Sequence, residues 1–142
     1  MTTQEQLDAI KALHGSAAGQ LSRQDLLALL AEDVEWYVLG SPDILPWAGV
    51  YRGPAEVRSW FERLSEHLQY EQFEPVEFIG QADTVVEVIR ASGRARATGR
   101  PFQSEVVRIW TFRGHKVVHV RSYYDTANYQ AAFQGSRTPV TP

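Results

Sequence analysis

Glu105, Ser122, Tyr124 and His14 are the residues of this chain whose types and spacing could do chemistry. The stretches Glu105–Trp110 and Lys116–Tyr124 alternate in character as strands do. With a two-residue turn at Arg113-Gly114, Ile109 faces Val118, Val107 faces Val120 and Glu105 faces Ser122, and Tyr124 continues that face. The face is aliphatic except for Glu105, Ser122 and Tyr124, and is expected to look inward. A carboxyl among aliphatic side chains is disfavoured in its charged form; protonated, it donates a hydrogen bond to an oxyanion. A place near the strand end would instead let Glu105 reach solvent or an arginine, and the pattern leaves both readings open. The opposite face pairs Trp110 with Val117, Arg108 with His119 and Val106 with Arg121. A turn at Gly114-His115 would set Arg108 against Arg121, a like-charge pair that disfavours that register.

His14 shares an apolar helical face with Leu7, Ile10, Leu13, Ala17 and Ala18. It reads either as a buried, hydrogen-bonded imidazole or, if it faces a cavity, as the proton carrier near neutral pH. Asp125 immediately precedes the last helix, and N-capping accounts for it. Trp47 and Tyr51 lie in a run broken by Gly40, Pro42 and Pro46 yet rich in apolar side chains. A loop of that kind folds over something, which makes it the lid of a pocket. Trp36, Phe61, Val107, Val120 and Ser122 complete the expected ligand-contacting set. His115 and His119 are four apart, but on a strand they share a face at long range, so no metal ligand set is predicted.

These groups need a scaffold, and 142 residues suffice for one domain with a real core. Apolar content of 44% and charge of 22% are ordinary for a globular protein, and the net charge of −3 argues against nucleic acid as a partner. Arg90, Arg94, Arg96 and Arg100 surround Gly93 and Gly99 and read as a solvated hairpin tip. The absence of cysteine excludes disulfides, thiolate nucleophiles and Cys-ligated metals. Met1-Thr2-Thr3-Gln4-Glu5-Gln6 lacks the features of a signal peptide and no apolar run reaches spanning length, so a cytoplasmic protein without a membrane partner is expected.

Helical spacing extends from Gln4 to Gln20, Ser22 caps a second helix, and Val34–Val38 reads as a first strand. Gly53-Pro54 opens a helix whose stripe is Val57, Trp60, Phe61, Leu64 and Leu68. Strands follow near 70–80, 84–97, 102–113 and 116–124, then a helix over Asp125–Phe133 with Gly135 as its C′ residue. The order ααβαββββα describes one α+β domain over residues 1–135, and the polar tail 136–142 is expected to be disordered.

The blocks Leu26–Trp36, Trp47-Ala48-Gly49-Val50-Tyr51-Arg52-Gly53, Ala97-Thr98-Gly99-Arg100-Pro101-Phe102 and Tyr123-Tyr124-Asp125-Thr126, in this order, resemble the SnoaL-like branch of the NTF2-like superfamily over about Gln4 to Phe133. The resemblance implies a cone-shaped barrel, its curved antiparallel sheet wrapped around the N-terminal helices. It also implies a homodimer through the outer sheet face, expected at Arg108, Trp110, His119, Arg121 and Tyr123. The implied activity is cofactor-free isomerase or cyclase chemistry by proton transfer on a small hydrophobic carbonyl compound of polyketide, steroid or terpenoid type. The alternative is a non-catalytic small-molecule-binding or dimerisation module. Ketosteroid isomerases of this kind carry a carboxylic acid on the penultimate strand, where Glu105 falls, and a tyrosine on the first helix, near His14. Their base position is Trp36, which cannot abstract a proton, and the last-strand Asp of epoxide hydrolases is Ser122 here. Glu105 would thus stabilise the oxyanion with help from Tyr124, His14 would carry the proton, and Trp36, Trp47 and Tyr51 would enclose the substrate.

Overall fold

The computed structural model describes residues 1–14 and 21–134. Thr2 caps the first helix, α1 (Thr3–Ala12): its hydroxyl accepts from the Glu5 N–H while the Glu5 carboxylate accepts from the Thr2 N–H, satisfying free donors reciprocally. The helix ends at Ala12; of its expected continuation, residues 15–20 lie outside the described residues, as do Gly135 and the 136–142 tail. Ser22 caps α2 (Arg23–Leu29), accepting from the Asp25 N–H, and the chain passes directly into β1 (Leu30–Val38). Then come β2 (Gly49–Arg52), α3 (Gly53–His67), β3 (Leu68–Gln81), β4 (Thr84–Ala95), β5 (Pro101–Arg113), β6 (Lys116–Tyr123) and α4 (Thr126–Gln134). The α4 N-terminus is capped by Asp125, whose carboxylate accepts from the Asn128 N–H.

The strands form one six-stranded sheet in the order β2-β1-β6-β5-β4-β3. It differs from an all-antiparallel expectation at one place, because β1 and β6 run parallel. The connection through α3 and the β3–β6 meander is long enough to bring β6 back beside β1 in the same direction, which no hairpin can do. The short strand β2, absent from the expected order, pairs Tyr51 with Trp36. Its four residues start at Gly49 and stop before Gly53, both with positive φ, and are too few for an alternating pattern to be legible.

The β5–β6 hairpin turns at Gly114-His115, with Arg113 opposite Lys116 and Phe112 opposite Val117. An irregularity follows, after which Thr111 faces His119 and Arg108 faces Ser122. Val118 is the extra residue of this bulge, and it moves Arg121 from Arg108 to Ile109. The like-charge pair that disfavoured this turn is thereby avoided, and the Arg113-Gly114 register is corrected. Every β5 side chain changes face as a result: Val106, Arg108, Trp110 and Phe112 point into the core, while Glu105 is exposed and Val107 and Ile109 lie half-buried on the outer side.

The core fills the concave side of the sheet. Trp60 and Phe61 of α3 pack on Trp36 at ring-centroid distances of 5.1 and 6.0 Å, and Trp110 meets Trp36 edge-on at 6.0 Å. Burial of each such side chain contributes about 1.5–3 kcal/mol. Gly93, expected near a hairpin tip, is instead a buried residue of β4. A Cβ there would stand 2.1 Å from the Gln69 carbonyl oxygen of β3, so only glycine lets the two strands close. The arginines around it do remain exposed, and the tip is the turn containing Gly99. No helix among the described residues is long and apolar enough to cross a membrane.

Candidate functional site

A cavity of about 300 Å³ opens between the concave sheet face, α3, α4 and the segment before β2. Its walls are largely aromatic, with Trp47, Trp60, Phe61, Tyr70, Phe73 and Tyr129. Its polar lining includes Arg23, Ser65, Arg108, Ser122 and Tyr124; among the described residues, no carboxylate, imidazole or amide side chain lines it.

The register places the key groups. Glu87, Arg108, Ser122 and Val38 are successive Cα partners across β4, β5, β6 and β1, and all four side chains are buried on the inner face. Arg108 is 4% exposed. Among the described residues its guanidinium makes one weak hydrogen bond, from Nε to Ser122 Oγ at 3.4 Å, and its Nη1 is enclosed without an acceptor. The guanidinium carbon lies 5.5, 5.6 and 5.8 Å from the rings of Trp36, Phe73 and Trp110, so aromatic faces supply part of the solvation that water would give. Burial holds Arg108 below the usual arginine range, while the nearby Glu87 carboxylate acts in the opposite sense.

Glu87 is fully buried, and its oxygens are engaged elsewhere. Oε1 accepts from Trp110 Nε1 at 3.0 Å, and Oε2 shares a close hydrogen bond with His14 Nε2. The His14 ring stacks on Phe73 at 6.2 Å and meets Phe78 edge-on, with Nδ1 enclosed and unpartnered. His14 thus stands behind the cavity wall at Phe73, bonded to Glu87.

Tyr124 ties the lid to the sheet. Its hydroxyl donates to the Leu39 carbonyl at 2.7 Å and accepts from Trp47 Nε1 at 3.0 Å, while Tyr51 donates to the Trp47 carbonyl at 2.9 Å. Desolvation raises Tyr124 well above the ordinary tyrosine value, and it raises Tyr70 and Tyr129 too, whose hydroxyls lie 3.4 Å apart. These phenols are neutral donors rather than bases.

Of the residues singled out in the sequence, Trp47, Phe61, Ser122 and Tyr124 line the cavity. Trp36, Tyr51 and Val120 are buried behind its walls, Trp36 with no exposure at all. Glu105 and Val107 belong to the outer side: Glu105 is exposed opposite Arg90, so the interior carboxylate is Glu87. Arg108 and Trp110, expected on the outer face, are in the core. The signal for Glu87 and Arg108 was present, because each is a lone charge within an apolar run, Val85–Ile89 and Val106–Trp110.

A curved sheet closed by helices over such a cavity defines an NTF2-like α+β protein. The SnoaL-like domain matches residues 10–120, and the chain belongs to that family. An NTF2-like protein from Burkholderia xenovorans is 34% identical, with 94% of this chain and 98% of that one covered at a TM-score of 0.78. One from Burkholderia thailandensis is 31% identical over 93% and 98%, at 0.76. A protein with a ketosteroid isomerase-like fold from Catenulispora acidiphila, in complex with trimethylamine, is 18% identical over 97% and 100%, at 0.68, a likeness of fold alone. Isomerase and polyketide cyclase names occur among further solved structures of this fold at 12% to 18% identity. No curated protein is similar enough to match.

Proposed function

We propose that the cavity takes a small, largely apolar carbonyl compound of polyketide, steroid or terpenoid type, and that the protein is a cofactor-independent isomerase or cyclase working by proton transfer. The observation that carries this reading is Arg108, a buried guanidinium beside an aromatic cavity with one weak protein hydrogen bond. Enolisation moves charge onto the carbonyl oxygen, and a fixed cation in a dry site stabilises that charge more than it stabilises the neutral ketone. Arg108 takes the part expected of Glu105. His14, positioned by Glu87 behind the wall at Phe73, carries the proton once Phe73 turns aside, and Tyr124 holds the Trp47 lid rather than giving up a proton. A volume of about 300 Å³ is at the lower end of ligand sites and suits a compact, few-ringed compound.

One observation favours a non-catalytic binding module instead: no described base touches the cavity directly. Exchange of the α-protons of β-tetralone in deuterium oxide, followed by NMR, separates the two. Exchange above the buffer rate that falls in both Arg108→Met and His14→Ala supports catalysis. A ketone that binds without exchange leaves the binding module. We also propose a homodimer through the outer sheet face, now composed of Tyr37, Val107, Ile109, Arg121 and Tyr123; Arg121 Nε is enclosed there without an acceptor. A monomeric sedimentation coefficient would refute it.

A further inference from the structure

The cavity offers hydrogen-bond donors and lacks a committed acceptor. Arg23 and Arg108 bring N–H groups only, and the remaining polar side chains are hydroxyls or the indoles of Trp47 and Trp60. Two of these are already spent: the Tyr124 hydroxyl donates to Leu39, and the Trp47 indole donates to Tyr124. A ligand that complements this lining accepts hydrogen bonds and donates few.

The guanidinium narrows the class further. Nε of Arg108 points to Ser122, which leaves the edge formed by Nη1 and Nη2, and Nη1 has no acceptor. An enclosed donor without an acceptor is a costly feature of a protein interior, and a small rotation of the guanidinium that turns Nη1 toward a ligand oxygen removes that cost. The two parallel N–H groups of this edge match two oxygens of one anion. Glu87 is not that anion here: its oxygens bond His14 and Trp110, and among the described residues none bonds Arg108. At the cavity rim a second guanidinium, Arg23, donates to Ser65 Oγ at 2.9 Å and lies 5.1 Å from the Phe61 ring, adding to the positive potential that an entering anion meets.

We infer that the cavity binds its ligand as a preformed anion with the charge shared over two oxygens, a carboxylate or the enolate of a β-dicarbonyl compound, seated on the Nη1/Nη2 edge of Arg108. The inference rests on the cavity reading proposed above and sharpens it: a neutral monocarbonyl of the same shape enters the same cavity but binds more weakly than the anion. It holds whether or not proton transfer follows.

Calorimetric titration of the wild-type protein with naphthoate and with naphthaldehyde, its neutral counterpart, tests this without any substitution. Naphthoate is expected to bind about 30-fold more tightly, and Arg108→Lys, which keeps the charge but loses the fork, to lose about 10-fold of the naphthoate affinity. Benzoylacetone titrated on either side of its enol dissociation distinguishes the two sources: affinity that rises with enolate formation assigns the dicarbonyl, and a preference confined to naphthoate assigns the carboxylate. Naphthaldehyde binding as tightly as naphthoate, or Arg108→Lys losing nothing, overturns the inference while the cavity reading stands. Binding of none of the probes overturns both.

Discussion

Glu87 and Arg108 are cross-strand partners on β4 and β5, both buried on the inner face, yet no ion pair joins them among the described residues. The Glu87 carboxylate is committed to His14 and Trp110, and the Arg108 guanidinium is left to aromatic faces and one weak bond to Ser122. Breaking a buried pair is costly because it strands a charge, and a stranded cation beside a cavity is a candidate for function. That relationship is the basis of the proposed site.

Glu87 is then a structural keystone as well as a positioning residue. Glu87→Ala leaves His14 and the Trp110 indole without their acceptor and should destabilise the fold by about 3 kcal/mol in urea unfolding. Glu87→Gln, which retains one acceptor oxygen, should cost less than half of that. Equal stability of Glu87→Ala and wild type would show that the buried hydrogen bonds are not formed.

Glu105→Gln should change neither ligand affinity nor turnover, and should move stability by no more than about 0.5 kcal/mol, because the side chain is exposed on the outer face. A large loss of binding would restore the Arg113-Gly114 register and invert the faces of β5.

Gly93→Ala should weaken the fold by about 3 kcal/mol, measured by urea denaturation, since its Cβ would meet backbone of β3 at 2.1 Å. The strain falls on the strand that carries Tyr70 and Phe73 into the cavity, so ligand affinity should fall with it.

Stability should decline in alkali. Desolvation raises Tyr51, Tyr70, Tyr124 and Tyr129 in the folded protein, so the unfolded chain releases their protons first, near pH 10. Above that pH the unfolded state binds fewer protons and gains, by up to about 1.4 kcal/mol per pH unit for each such group. The melting temperature should hold up to about pH 10 and fall above it. Phenolate absorbance from these four tyrosines should appear only as the fold is lost; their titration in the intact protein at ordinary values would contradict the burial.

The sequence shows much of the scaffold. The Ser22 and Asp125 caps, the α3 stripe from Val57 to Leu64 and the β3–β6 meander follow from local chemistry and periodicity, and the structure places them as expected, while Leu68 opens β3 instead of closing the stripe. The side-chain faces of the last hairpin do not follow, because a bulge has no compositional signature and one extra residue inverts a strand. A regular ladder from the Gly114-His115 turn would pair Arg108 with Arg121, and the extra residue Val118 removes that pairing. Inverting that face moved Glu105 out and brought Arg108 in, which changed the expected acid donor into a cation. Trp47 was legible as lid because it does not depend on that register, and Tyr124 lines the cavity because the bulge inverts β5 and leaves Val120, Ser122 and Tyr124 on the inner side.

The most direct test of the central claim, that Arg108 binds an anion in the cavity, is a tryptophan-fluorescence titration with phenols of graded acidity. Wild-type protein should bind more tightly as the phenol becomes more acidic, and in Arg108→Met that dependence should disappear while a residual affinity for the apolar ring remains. The same dependence in both proteins would place the anion-binding group elsewhere and contradict the account.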